Sequence, residues 1–437
     1  MQYFNQSFSH RPSLAKIGDF LASGSDLVCL SHLRWDFVYQ RPQHLLSRCA
    51  RNRRVFFIEE PVVEFVDCWW LEVRQRECGV YVVVPHLPDW ISDALRAAMH
   101  QSLIDELFEE YAIANPILWY YTPAALTFTQ HLPAAVVVYD CMDELSAFQG
   151  ASPALRQLEQ QLLQRADVVF TGGQSLYEAK QHLHPNIHAF PSSIDAAHFN
   201  QARTLTQDPI DQRDIPHPRL GFYGVIDERM DLDLLAGIAQ AQPDWHLVMI
   251  GPVVKIAPDQ LPQLPNIHYL GGKSYQELPQ YLAGWDVAML PFARNESTRF
   301  ISPTKTPEYL AAGKPVVSTS IRDVVRPYRE QNLVQIADTV ADFVTAAAQA
   351  MQPRSPDANW LYRVDRFLAH NSWDRTWLNM MQHIEAVMTK AAATRYASPD
   401  TQPLPTVNLQ LSTGVSLASK LHHSSLEAMP EREPQQP

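Results

Sequence analysis

The chain has 437 residues, 46% of them hydrophobic, which is material for two cores. Its net charge of −12 excludes a general nucleic-acid binder, because such a protein needs a basic surface to displace counterions from phosphates. Five cysteines, at 29, 49, 68, 78 and 141, form neither a C-x-x-C pair nor an even set, so reduced thiols in the cytoplasm are the simplest account, and no H-E-x-x-H or clustered His/Cys spacing suggests a metal.

Residues 1–20 hold no continuous apolar core of the kind a secretory signal needs, and no apolar run of about twenty residues is present to span a bilayer. Residues 26–31 (DLVCLS) and 55–58 (VFFI) read as buried strands around a helix from Arg41 to Ala50, with Pro42 near its start and Leu45 and Leu46 on one face. The basic stretch RCARNRR, residues 48–54, is either a contact for anionic lipid or a lipid-linked diphosphate, or the solvated end of that helix. Further β-like runs follow at Val80–Val84, Ile117–Tyr121, Val136–Tyr139 and Val168–Phe170, with helical stretches at 90–114 and 152–166. Strands alternating with helices predict a mostly parallel sheet covered on both faces.

The polar, Pro-rich segment 190–218 reads as a linker, and a second alternation runs from Leu220 to Ile336. Within it, FISPTKTPEYLAAGKPVVST (residues 300–319) predicts a helix ending at Gly313, followed by a strand through Val316 and Val317. Lys305 and Glu308 lie three apart, so they share one face of that helix near its start. That pairing suits a diphosphate and a ribose; an ordinary αβ unit is the alternative. Trp373, Trp377, Met381, Ile384 and Val387 recur at helical spacing as a packing stripe, and from Ser398 the periodicity is lost, which predicts a disordered tail. No G-x-G-x-x-G follows a strand and no G-x-x-x-x-G-K-[ST] loop is present, so the dinucleotide and NTPase fingerprints are absent.

Residues 300–319, with GFYGVIDERMDLDLLAGIAQAQPDWHLVMIGP (221–252) and LPNIHYLGGKSYQELPQYLAGWDVAMLPF (264–292), resemble in order the donor-side domain of two-domain GT-B glycosyltransferases that include glycosyltransferase family 4. SHLRWDFVYQRPQHLLSR (31–48) resembles a bacterial subgroup that assembles surface polysaccharide. The resemblance implies an α/β chain of two Rossmann-like, doubly wound lobes facing a crevice. The implied parts are an N-terminal extension (1–25), an acceptor-side domain (26–200), a nucleotide-sugar domain (201–370), a helix crossing back to the first domain (371–396) and a tail (397–437).

It further implies transfer of a sugar from a UDP-linked donor to a lipid-linked or polysaccharide acceptor, with no cofactor and no metal requirement. The expected setting is cytoplasmic, with peripheral contact at the inner face of the plasma membrane. Glu308 matches the Glu that holds the nucleotide ribose, and Lys305, Gly224, Arg229, Thr304 and Ser302 complete the expected donor site. Two positions depart from the family pattern. The first acidic residue of its usual pair falls at Phe300, with Glu296 out of register, and no Lys follows Arg229 in the loop after Gly224.

An inverting transferase also needs a base for the acceptor hydroxyl. Asp143 and Asp140 follow a strand at its carboxyl end, where ligands bind in open α/β sheets; either one serves equally as a helix cap. Arg34, Trp35, Asp36, Gln40 and Arg41 follow the first strand and are expected on the acceptor side, with Trp35 as a platform for a sugar ring. A sugar-nucleotide 2-epimerase or a phosphorylase is the alternative in the same fold, although no pyridoxal-binding Lys context is found. A non-catalytic assembly protein is the alternative outside catalysis.

Overall fold

The computed structural model describes residues 25–352 and 358–397. The expected N-terminal extension up to residue 24 and the expected disordered tail from residue 398 lie outside the described residues. The first lobe is built on β1 (Leu27–Leu30), β2 (Val55–Ile58), β3 (Val62–Glu64), β4 (Trp70–Gln75), β5 (Val80–Pro88), β6 (Ile117–Tyr120), β7 (Val136–Cys141), β8 (Val168–Thr171) and β9 (Ile187–Ala189). Their order is β3-β5-β2-β1-β6-β7-β8-β9, parallel throughout, with β4 added antiparallel on β5.

Alternation along the strands sends successive side chains to opposite faces. Val28, Leu30, Phe56, Ile58, Leu118 and Tyr120 enter one core, while Leu27, Cys29, Val55, Phe57, Ile117 and Trp119 enter another. The second of these cores is closed by α1 (Arg41–Cys49), through Leu45 and Leu46, and by the C-terminal helix Trp373–Ala397, through Trp373, Trp377, Met380 and Ile384.

The second lobe holds β10 (Arg219–Tyr223), β11 (His246–Ile250), β12 (Ile267–Tyr269), β13 (Val287–Leu290), β14 (Val316–Ser318) and β15 (Val334–Ile336), in the order β12-β11-β10-β13-β14-β15. Every pair in it is parallel. The segment expected to be a linker does lead from the first sheet to the second, yet Ile194, Phe199, Ala202 and Ile215 are buried in the second core. Its apolar residues are spaced by a short helix, Ala196–Asn200, and so escape a composition-based reading. Strands β3 and β4 were not expected either, since their side chains are half-buried or exposed and show no apolar run.

One buried ion pair joins these parts. Arg41 is 3% and Asp140 0% exposed, and the guanidinium donates to both carboxylate oxygens at 3.0 and 2.8 Å. Arg41 also donates to the carbonyl of Phe190 at 2.7 Å and contacts the Met380 sulfur at 4.0 Å. Burial alone pushes the Asp140 carboxyl up and the guanidinium pulls it down. Removing one partner of such a pair strands a charge in the interior. Arg41→Ala should therefore destabilise the fold by about 3–5 kcal/mol in urea unfolding, and a loss below about 1 kcal/mol would show that the pair does not hold the lobe together.

Candidate active site

Strands β10, β11 and β12 end at glycine turns beside the crevice. Gly224 has φ +136° and Gly251 φ +139°, conformations that L side chains rarely adopt. A Cβ on Gly224 would fall 2.1 Å from Lys305 Cε, and one on Gly251 would fall 1.8 Å from the Gly224 carbonyl oxygen. The glycines thus let two loops stack and leave room for a lysine above them.

That lysine opens α2 (Lys305–Ala311), whose Glu308 sits one turn on. Tyr309, on the buried side, accepts a hydrogen bond from the backbone N–H of Tyr223 at 3.0 Å. Tyr223 in turn donates its hydroxyl to Glu308 Oε2 at 2.5 Å. These bonds fix the helix so that Lys305 and Glu308 face the crevice. Burial pushes the Glu308 carboxyl up to about 7, against the Tyr223 hydroxyl and the Lys305 charge. Burial also lowers the Lys305 ammonium, with the Arg229 charge adding to it. No carboxylate lies within 4 Å of Lys305 among the described residues.

Arg229 is held by Asp227 at 2.7 Å and lies over the first-lobe ring of Phe148 at 5.5 Å. Lys255, at φ +62°, reaches the same ring at 4.8 Å. Across the crevice, Asp143 is half-buried, and no described residue hydrogen-bonds its side chain. Its carboxyl is raised by burial and lowered by the facing charges of Arg229 and Lys305. A cavity of about 500 Å³ lies at Lys305 and Glu308, lined by Tyr39 and Gln40 from the first lobe and by Tyr223, Tyr275 and Thr304 from the second, while Asp143 and Arg229 do not line it.

Other expected ligand groups are engaged elsewhere. Asp140 and Arg41 are spent on each other, so neither is available to an acceptor. Trp35 is 8% exposed with its ring 5.0 Å from Phe57, so the ring packs in the core while the residue still lines the cavity. Arg34 is tied to Glu59 at 2.9 Å, whereas Asp36, paired with Arg76 at 2.5 Å, and Gln40 both line the cavity. Ser302 is pressed against Gly173 of the first lobe and does not line the cavity. Phe300, in place of the family acid, packs on the first-lobe core. The basic stretch is largely neutralised, with Arg48 on Asp374 at 2.9 Å and Arg54 on Asp26 at 2.6 Å.

The sequence model of group 1 glycosyl transferases matches residues 217–352, the second lobe with its glycine turns and α2. A Bacillus subtilis protein named as a teichuronic acid biosynthesis glycosyltransferase, TuaH, is 25% identical over 273 residues, covering 57% of this chain and 67% of its own. The chain is a glycosyltransferase of GT-B fold.

Solved structures agree on the architecture. Sucrose-phosphate synthase from Thermosynechococcus elongatus superposes with a TM-score of 0.60 at 12% identity, over 84% of this chain and all of its own. The α,α-trehalose 6-phosphate synthase of Burkholderia multivorans gives 0.57 at 14% identity over 86% and 99%. At such identity they speak to fold alone. In this glycosyltransferase, Tyr39, Tyr275, Lys255 and Phe148 are crevice residues that sequence reasoning missed: Tyr39 and Tyr275 lie inside the resembling segments 31–48 and 264–292 without a partner in view, and Lys255 and Phe148 lie outside them.

The raised Glu308 carboxyl has a consequence for stability. Its folded value of about 7 lies above the ordinary 4.5, so the folded state binds the proton more tightly than the unfolded one. Stability of the unliganded protein is then lost as pH rises from about 4.5 to 7. Glu308→Gln should be more stable than the parent at pH 8, by on the order of 2–3 kcal/mol, and equal to it near pH 4. Denaturant melts at the two pH values check this, and a difference independent of pH would contradict it.

Proposed function

We propose that this glycosyltransferase takes a sugar from a UDP-linked donor and passes it to a lipid-linked or polysaccharide acceptor in surface or exopolysaccharide biosynthesis. The observation that carries the donor half is Lys305 and Glu308 side by side on the cavity wall, one an ammonium with no ion pair, the other a buried carboxylate with one oxygen unused. A nucleoside diphosphate presents both complements, phosphate charge and ribose hydroxyls. The acceptor half is supported by the named role of the Bacillus relative.

Direct displacement assigns each group a task. The acceptor oxygen bonds to the anomeric carbon as the bond to the diphosphate breaks, and the acceptor proton passes to Asp143. Burial makes that carboxylate more basic than an exposed one, and the facing cations keep it ionised. Lys305 and Arg229 meet the charge that grows on the leaving diphosphate, where fixed cations act most strongly. Charge neutralisation is thus assigned to side chains and not to a metal. No described helix is long and apolar enough to cross a membrane, so an acceptor anchored in lipid would be met from the surface of the bilayer.

Lys305→Ala should lower turnover by about 100-fold and weaken UDP binding much less, because its charge complements the transition state more than the ground state. Equal losses in both would indicate plain ground-state binding. Asp143→Asn should abolish transfer with UDP affinity preserved, since the base touches the acceptor and not the nucleotide. Full activity in that variant would remove Asp143 as base and favour a retaining route. Chelation with EDTA should leave turnover of UDP-sugar unchanged; inactivation that is reversed by a divalent cation would reassign the diphosphate.

A further inference from the structure

Tyr275 is the crevice residue whose chemistry remains unused. It opens a short 3-10 turn after the loop at Gly271 and Gly272, and it lines the same cavity as Glu308. Its hydroxyl is buried and has no hydrogen-bond partner. A buried phenolic hydroxyl usually finds one. The ring is held firmly, stacked on His198 at 4.3 Å and 4.7 Å from Tyr39 of the first lobe, while the His198 ring meets the Tyr275 carbonyl oxygen at 2.9 Å. Its position is therefore set by packing, and the orphan hydroxyl belongs to a residue that shares its cavity with Glu308.

The Glu308 side supplies the other half of the pattern. Oε2 is taken by the Tyr223 hydroxyl, and Oε1 has no partner among the described residues. Two unfilled hydrogen-bonding positions, a carboxylate oxygen and a phenol, thus border one space. A vicinal diol has the matching pair of hydroxyls, one to donate to the carboxylate and its neighbour to engage the phenol. A phosphate at neutral pH has no hydroxyl to give the carboxylate, so the diphosphate does not fill this pair.

We propose that Tyr275 is a specificity-determining residue of the donor site, gripping the ribose diol together with Glu308. This rests on the reading of Glu308 as the ribose anchor. Because Tyr39 packs on the same ring, the wall that holds the ribose is shared by both lobes, and the site is complete only when they meet.

Calorimetric titration with UDP, 2′-deoxy-UDP and 3′-deoxy-UDP tests the proposal. Tyr275→Phe keeps the ring and removes only the hydroxyl. It should bind UDP about tenfold more weakly than the parent, the size expected for one good hydrogen bond. One of the two deoxy analogues should bind parent and variant equally, because the contact is already missing. If Tyr275→Phe binds UDP as the parent does while Glu308→Ala loses it, the inference fails and the donor reading stands. If neither substitution matters, or if the parent does not bind UDP, both fail. Equal weakening of UDP and both analogues in Tyr275→Phe would place the contact away from the diol and overturn the proposal.

Discussion

The Arg41 guanidinium is the constraint on which the rest of the molecule depends. A charge removed from water must have its donors satisfied, and Arg41 finds Asp140 at the end of β7, the Phe190 carbonyl where the chain leaves the first sheet, and Met380 on the C-terminal helix. Four stretches far apart in sequence are thereby brought to one point. Asp140 lies three residues before Asp143, so the same pair that closes the first lobe also fixes the loop that faces the crevice. A hydrophobic substitute for the pair could fill the space but would not orient β7 and α1 so specifically.

Charges elsewhere in the crevice show the opposite condition. Lys305 has no ion pair, Glu308 uses one oxygen, Asp143 has no hydrogen bond to its carboxylate, and both Glu228 oxygens are buried without a hydrogen bond, met by Lys255 at 3.9 Å. A folded protein tolerates such groups where a ligand completes them, and their fixed positions mean that little reorganisation is needed when charge develops there. The contrast between the satisfied pair that supports and the unsatisfied groups of the crevice, of which Lys305 and Glu308 line the cavity, is the physical signature of the site.

Much of this was legible in the sequence. Fully buried parallel strands such as VFFI and VVVYDC announce themselves as apolar runs, and the three-residue spacing of Lys305 and Glu308 with Gly313 beyond it defines α2 and its open face. What the sequence concealed was partnership at a distance. Arg41 and Asp140 are 99 residues apart, so each looked like a free ligand in a strand-end loop. Trp35 gave no sign that its ring turns toward Phe57. Phe300 stood out as a missing acid but not as an apolar contact with the other lobe. Tyr275 and Tyr39 lie in segments that resemble the family but show no partner in sequence, and only the approach of the two lobes brings their rings together.

The central claim is that the donor nucleotide lies along the wall formed by the Gly224 turn and α2. A crystal structure of the protein with UDP tests it most directly. The account predicts ribose oxygens on Glu308 and the diphosphate against Lys305 beside Gly224. A second interlobe cleft of about 680 Å³ holds Arg294, Arg299 and Arg322, and it gives the nucleotide another place to bind. UDP found there, with Lys305 and Glu308 untouched, would contradict the account.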